Sequence, residues 1–163
     1  VIFFSCRKFN QPLNKWSTHN VNHMTATFSY ATNFNQSLSN WNTSDVVSMN
    51  NMFQYAEKFN QPINTFNTSR VEGMLRMFYN AKNFNQPLDN WNTSYVQRMN
   101  DMFYKAEEFA YDITTWQDYR YVPYYSPNMF YDADAWLSKF KRKDNDASNF
   151  DGPSSQWDPI INP

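Results

Sequence analysis

The chain has 163 residues, a formal net charge of −1 and a pI near 6.1, so no overall field favours nucleic acid or an anionic membrane. No apolar run approaches the roughly 18 residues that a membrane-spanning helix needs. The chain has a single cysteine, Cys6, which cannot form an internal disulfide and so does not indicate an oxidising or a reducing compartment. Aromatic residues make up 20% of the chain, which predicts that most rings are buried.

A sequence pattern with a 25-residue period covers most of the chain. The stretch 84–94 reads Phe-Asn-Gln-Pro-Leu-Asp-Asn-Trp-Asn-Thr-Ser, and close copies stand at 59–69 and 34–44. Residues 2–6 match the end of a repeat, so we expect a processed chain or part of a longer protein. A fixed period of this length is typical of stacked repeats.

Apolar residues recur at fixed positions of each repeat and predict a shared core. The most regular positions are occupied by Phe9, Phe34, Phe59, Phe84 and Phe109, by Trp16, Trp41, Phe66, Trp91 and Trp116, and by Met24, Met49, Met74 and Met99. Asparagine also recurs, at Asn10, Asn35, Asn60 and Asn85 and at Asn42, Asn67 and Asn92. We expect these asparagines to form ladders that bond the connecting backbone, because buried loops need such partners.

Two local elements are predicted within each repeat. Val46, Met49 and Phe53 are spaced three and four residues apart, which favours one face of a short helix. Ser69 and Glu72 have the spacing of a capping box at the start of such a helix. A short strand is predicted around 87–91, because proline favours the first residue of a strand.

These elements predict an α/β solenoid of the leucine-rich-repeat type. Each 25-residue turn would carry one short parallel strand and one short helix, with about five turns and a C-terminal cap. The repeat decays after Phe109 and stops near Ala133. We therefore predict a solenoid over 1–133, and a cap with a short helix near 135–140 and an irregular tail over 134–163.

The repeat resembles that of the BspA-like leucine-rich-repeat family, in the branch whose repeat has this same period. Residues 84–106 carry the branch pattern, which continues from Trp91-Asn92-Thr93-Ser94 through a spaced valine, two methionines, phenylalanine and alanine. The resemblance implies a curved solenoid and, often, an extracellular or cell-surface protein in binding or adhesion. It implies no catalytic residues.

Two surfaces are predicted to bind a partner. The first is the column of short polar residues on the strand face, Asn14, Ser39, Asn64 and Asp89. The second lies in the degenerate fifth repeat, where Tyr111, Tyr119 and Tyr125 replace polar residues and Arg120 adds a donor fork. The alternative for these tyrosines is that they close the open end of the solenoid.

Four asparagines, Asn35, Asn42, Asn67 and Asn92, begin sequons that would accept glycans in a secreted protein. Three of these sequons also follow from the Asn-Thr-Ser turn of the repeat. The basic run 139–143 is predicted to be a solvated face, with docking to an acidic partner as the alternative.

No catalytic or metal-binding constellation is evident in the sequence. His19 and His23 supply half of a zinc ligand set at most. Asp144 and Asp146 resemble the start of a calcium loop, but Asn149 replaces its turn glycine, which favours Asx turns instead. We expect no enzyme activity and no cofactor.

These observations predict a non-enzymatic repeat scaffold that binds protein or glycan, at a cell surface or after secretion. The alternative is a structural or accessory subunit of a larger multiprotein assembly. No nucleic-acid partner and no transmembrane segment are expected.

Overall fold

The computed structural model describes residues 2–116 and 126–161. The predicted α/β solenoid is wrong, because residues 2–116 contain turns and isolated bridges but no helix or strand. In the described ranges, regular structure consists of a helix α1 at Asp134–Leu137, strands β1 at Phe140–Arg142 and β2 at Trp157–Pro159, and a 3-10 turn at Ser154–Gln156. The two strands pair antiparallel, with Lys141 opposite Asp158.

Successive 25-residue turns nevertheless lie against one another in register. Isolated parallel bridges join His23 to Ser48, Ser48 to Gly73 and Gly73 to Arg98. These bridges lie where the sequence predicted the start of a helix, and no strand forms at 87–91. The repeat is therefore a stack of irregular turns, without the strand–helix unit.

The backbone amides explain why no helix forms in the repeat. The amides of Asn51 and Phe53 donate to the carbonyls of Leu75 and Met77 in the next turn, at 2.8 and 2.9 Å. The amide of Gln54 instead donates to the Asn51 carbonyl of its own turn, at 3.2 Å. An α-helix needs consecutive amides to reach carbonyls four residues earlier. Here several of those donors serve the neighbouring turn instead.

Left-handed backbone also interrupts each turn. Asn51 and Tyr55 have φ values of 58° and 56°, and both positions repeat this geometry in other turns. The residues concerned are Ala26, Asn51, Arg76 and Asp101 at the first position and Tyr30, Tyr55, Asn80 and Lys105 at the second. A left-handed residue costs about 1–2 kcal/mol and cannot lie inside a right-handed helix.

Two parallel rows of phenylalanine rings form the centre of the core. Within one turn, the ring centroids of Phe53 and Phe59 are 4.0 Å apart. Between turns, Phe53 stacks on Phe28 at 5.6 Å and on Phe78 at 5.7 Å. The predicted shared core is confirmed for the interior turns, whereas Trp16 in the first turn is 43% exposed.

The first asparagine column forms the predicted ladder. The Oδ1 atoms of Asn10, Asn35 and Asn60 each accept the backbone N–H of the asparagine in the next turn, at 2.8–2.9 Å. The second column does not join turns in this way. Asn67 Oδ1 instead accepts the N–H of Ser69, two residues later, at 3.0 Å. It forms an Asx turn within one repeat.

The C-terminal residues continue the ring stacking and then cover it. Trp136 stacks on Phe109 at 6.0 Å and on Phe130 at 4.3 Å, so it occupies the place of the next ring in the row. Phe140 of β1 stacks on its other side at 4.0 Å. Ser154 donates to the Ile113 carbonyl at 2.7 Å and ties the tail to the fifth turn.

The short helix predicted near 135–140 is present as α1, but the tail is less irregular than predicted, because it supplies β2. The division of the chain at 133 stays a prediction. No helix within the described ranges is long and apolar enough to cross a membrane.

Candidate binding site

A solvent-open groove of about 280 Å³ lies between the fourth and fifth turns. Its lining includes Trp91 and Trp116, whose rings stack at 6.1 Å. Their indole nitrogens donate to the carbonyls of Ile63 and Leu88 at 3.1 and 3.2 Å. These bonds fix both rings. The groove is lined by Asp89, Asn90, Trp91, Asn92, Thr93, Thr115 and Trp116 (the tryptophan groove).

The rim of the tryptophan groove is held by bonds to the preceding turn and by bonds within its own turn. Asn64 Nδ2 donates to Asp89 Oδ1 at 3.0 Å, and Asn64 Oδ1 accepts the backbone N–H of Asn90 at 3.0 Å. Asn92 Oδ1 accepts the N–H and the hydroxyl of Ser94 at 3.0 and 2.6 Å. The rim therefore presents the Asp89 carboxylate and the Asn92 side chain held by hydrogen bonds, beside further amide and hydroxyl groups.

Five half-buried tyrosines form a second surface feature, along the length of the stack. They are Tyr30, Tyr55, Tyr79, Tyr104 and Tyr131 (the tyrosine stripe), with successive centroids 4.6, 5.4, 4.6 and 4.9 Å apart. Burial, and then the adjacent Tyr79 hydroxyl, raise the pKa of Tyr55 above its ordinary value of 10.0. The hydroxyl is therefore protonated at neutral pH and can both donate and accept a hydrogen bond.

Charged pairs flank the tyrosine stripe. The Arg76 guanidinium lies 5.8 Å above the Tyr79 ring and pairs with Asp101 of the next turn at 2.9 Å. Lys105 lies 3.8 Å from Asp132, again one turn further on. In both pairs the cation precedes the anion along the stack. The two ends of the stripe are therefore distinguishable, because each flanking cation lies one turn before its anion.

The comparisons with known proteins match the repeat pattern to one family. A family described as "Mycoplasma protein of unknown function, DUF285" matches residues 1–116 and again residues 81–160. The chain belongs to the DUF285 family. This assigns it to a repeat family, as predicted, and does not assign it to the BspA-like proteins. No curated protein and no solved structure matches the chain.

The predicted polar column of this DUF285 chain lies on its surface, but only part of it reaches the groove. Asp89 lines the tryptophan groove, and Asn64 contacts Asp89. Ser39 accepts a hydrogen bond from Ser37 at 3.1 Å, and the carbonyl of Asn14 accepts one from Asn40 at 3.5 Å. Neither Ser39 nor Asn14 lines the groove.

The predicted tyrosine surface of the fifth repeat is described only in part. Tyr111 is 44% exposed, which agrees with a position outside the core. Tyr119, Arg120 and Tyr125 lie outside the described residues. The tyrosine stripe was not predicted from the sequence, because its residues occupy two neighbouring columns of the repeat.

The four sequon asparagines of the DUF285 chain differ in their surroundings. Asn35 is half-buried, and its Oδ1 accepts from the Asn60 amide and from Gln61 Nε2 at 2.9 and 3.0 Å. Asn42 is half-buried, whereas Asn67 and Asn92 are exposed. The side chain of Asn35 is therefore part of the ladder, and the last two project from the stack.

The other residues considered for chemistry form local contacts. His19 Nδ1 lies 3.0 Å from the Ser17 hydroxyl. Asp144 pairs with Arg142 at 2.6 Å, and Asp146 accepts from the Ser148 amide at 3.0 Å in an Asx turn. Among the residues that the structure describes, no three His, Cys, Asp or Glu side chains are grouped to hold a metal ion.

Proposed function

We propose that this chain is a non-enzymatic repeat scaffold that binds a glycan or a polar protein segment in the tryptophan groove. The observation that carries the proposal is the pair of bonds from Asn64, which fix Asp89 and Asn90 on the rim at 3.0 Å each. A rim that is already ordered loses little conformational entropy when a ligand binds.

The chemistry of the groove supports a neutral, hydroxyl-rich or amide-rich ligand. Asp89 is the one carboxylate among the described lining residues, and the others are amides, hydroxyls and indoles. Trp91 and Trp116 are only 4% and 6% exposed, so little ring face is free for stacking. Hydrogen bonds at the rim would therefore select the ligand. A volume of about 280 Å³ is at the small end for ligand sites and suits a short segment.

We also propose that the chain shares with BspA-like proteins an exposed or secreted location and a role in adhesion. The support is the repeat pattern of residues 84–106, which resembles that branch. The feature in common is the repeated sequence, and adhesion is the role that this resemblance implies.

Arrays of purified glycans and extracellular-matrix proteins test the proposal. The labelled full chain should bind some array members saturably. The double variant Asp89→Ala/Asn90→Ala should weaken that binding at least about tenfold, which corresponds to about 1.4 kcal/mol. Ser39→Ala/Asn40→Ala is the matched control, since it changes the equivalent positions two turns earlier, outside the groove. Absence of saturable binding, or equal loss in both variants, would contradict the proposal.

A further inference from the structure

We propose that the tyrosine stripe is a site of oxidative cross-linking, at which a haem peroxidase and hydrogen peroxide join stacked tyrosines of adjacent turns through a carbon–carbon bond. The product is a dityrosine within one chain, and it would hold two turns of the stack together covalently. This modification is separate from the tryptophan groove and goes beyond the proposed function.

The stripe brings phenol rings of adjacent turns close enough to couple. Tyr79 and Tyr104 lie face to face, with a centroid distance of 4.6 Å and an interplanar angle of 2°. Tyr30 stacks on Tyr55 at 4.6 Å and 12°. Tyr131 lies 4.9 Å from Tyr104 at 10°. At these distances the two rings of a pair are in contact, so coupling needs rotation of the side chains and little movement of the backbone.

The coupling balances as a two-electron oxidation. Each phenol loses one electron and its hydroxyl proton and becomes a phenoxyl radical, whose unpaired electron is shared with the ring carbons beside the hydroxyl. One such carbon of each ring forms the new bond. The hydrogen on each of these carbons is then lost as a proton while the oxygen of the same ring gains one, which restores both phenols. The two electrons and two protons released reduce one hydrogen peroxide molecule to two water molecules.

The tyrosine stripe is better placed for this oxidation than the other aromatic rows of the stack. The phenylalanine rings of the core, such as Phe53 and Phe78, are fully buried and carry no hydroxyl group. Trp91 and Trp116 are only 4% and 6% exposed. The tyrosines of the stripe are half-buried, so an oxidant can take an electron from their open edges.

The continuity of the row favours coupling within one chain. Successive centroids of the stripe are 4.6–5.4 Å apart, a distance over which an electron passes readily between neighbouring rings. A radical formed at one ring therefore moves along the stripe, and two radicals on the same chain meet at a stacked pair. Tyr95 and Tyr111 are 57% and 44% exposed, but neither has a ring contact with another described residue. Radicals on these two tyrosines would couple only between chains.

Oxidation of the full chain at low protein concentration, by a haem peroxidase with hydrogen peroxide, tests this proposal. The exposed thiol of Cys6 is first alkylated, so that it does not consume the oxidant. The product should show dityrosine fluorescence and run as a monomer on a denaturing gel. Mass spectrometry of its peptides should find Tyr30 joined to Tyr55, and Tyr104 joined to Tyr79 or to Tyr131.

Phenylalanine variants separate the stripe from the other tyrosines. Tyr55→Phe/Tyr104→Phe keeps every ring of the stack but leaves no two neighbouring tyrosines in the stripe, so it should abolish the cross-link within the chain. The matched control is Tyr95→Phe/Tyr111→Phe, which removes the same number of hydroxyls outside the stripe and should retain the cross-link. Wild-type chains that couple only to one another, or a stripe variant that couples internally as the control does, would overturn the proposal.

The melting temperature tests whether the bond holds two turns together. Tyr79 and Tyr104 are 25 residues apart, so joining them restricts the unfolded chain as a disulfide would. The oxidised wild type should melt about 5 °C or more above the untreated chain. The same treatment should leave the melting temperature of Tyr55→Phe/Tyr104→Phe unchanged. An equal shift in both proteins, or none in either, would overturn the covalent link between turns. Array binding through the groove is independent of these outcomes.

Discussion

The indole nitrogen of Trp91 donates to the backbone carbonyl of Ile63 in the preceding turn at 3.1 Å. The Trp116 indole makes the equivalent bond to Leu88 at 3.2 Å, so each tryptophan joins its turn to the turn before it. The same two residues line the tryptophan groove. Stability of the stack and the shape of the candidate site therefore depend on the same side chains.

Trp91→Ala should destabilise the chain by about 3–5 kcal/mol, because a buried aromatic ring is removed. Trp16→Ala, at the equivalent position of the first turn, is the matched control. Trp16 is 43% exposed whereas Trp91 is 4% exposed, so the control should lose at most about 1 kcal/mol. Urea denaturation followed by circular dichroism measures both losses. Equal losses would mean that the tryptophan column is not buried as described.

Ala26→Gly should stabilise the chain or leave its stability unchanged. Ala26 has a φ of 52°, in the left-handed region where alanine costs about 1–2 kcal/mol and glycine does not. The entropy lost by glycine on folding offsets about 0.5–1 kcal/mol of that gain. Ala147→Gly is the control, since Ala147 is exposed and its φ is not positive. Thermal unfolding should show a lower melting temperature for the control variant only, and an equal drop in both variants would contradict the left-handed geometry.

Secretion from a glycosylating host should give folded protein with glycans on Asn67 and Asn92 but not on Asn35. Asn67 and Asn92 are exposed, whereas the Asn35 side chain accepts two bonds from the next turn. A glycan is attached to the amide nitrogen Nδ2, and Asn35 is half-buried against Asn60 and Gln61 of the next turn, so a sugar there should disturb the packing of the two turns and chains that carry it should fail to fold. Peptide mass spectrometry of the folded fraction measures occupancy at each site. Comparable occupancy at Asn35 and Asn67 would show that the ladder tolerates a glycan.

Acid should remove a stabilising contact of the C-terminal cap as the pH falls from about 4 to about 2. The hydrogen bonds from Arg142, and then the Asp146 amide, lower the pKa of Asp144 from 3.8 to about 2. A carboxyl group whose pKa is lower in the folded state stabilises the fold above its unfolded pKa. That contribution is lost as the pH falls through the folded pKa.

The matched variant for this acid effect is Asp144→Asn. It should be less stable than wild type at neutral pH, and the difference should shrink below the unfolded pKa of 3.8 and vanish below the folded pKa of about 2. Trp157 reports on this region, because its indole donates to the Asp151 carbonyl at 3.0 Å and Arg142 donates to the same carbonyl at 3.1 Å. Tryptophan fluorescence during denaturation, to which Trp157 is one of six contributors, measures the difference. A difference that does not change with pH would exclude the Asp144 charge as its source.

The core and the ladder were predictable, because both depend only on the 25-residue period. A residue that recurs at this period meets its own copy in the next turn, whatever the local backbone conformation. Phe53 on Phe78 and Asn35 on Asn60 are examples. The absence of a helix from the repeat was not predictable from the spacing of its apolar residues. The steps of three and four from Val46 to Phe53 fit a series of tight turns as well as a helix face.

The tyrosine stripe was not recognisable from the aligned repeats, for a geometric reason. Tyr30 and Tyr55 occupy the same position of successive repeats, but the next ring, Tyr79, comes one position earlier in its repeat. The row thus moves to the neighbouring column, and an alignment by columns divides it. The centroid distance at this step is 5.4 Å, so the surface row continues across it. The tryptophan groove was not predicted for a different reason, because the sequence pattern indicates only a core position for Trp91 and Trp116.

The exchange of backbone hydrogen bonds between turns has a consequence at the level of the gene. The Asn51 and Phe53 amides bond to the turn that follows, and equivalent bonds recur at each interior boundary. Every such boundary is therefore joined by the same set of backbone bonds. Unequal recombination between the 25-residue copies would delete or duplicate one whole layer and leave the same kinds of boundary behind. A coding sequence of this kind can change the length of its product in steps of one layer, because an added layer has the same core positions as its neighbours.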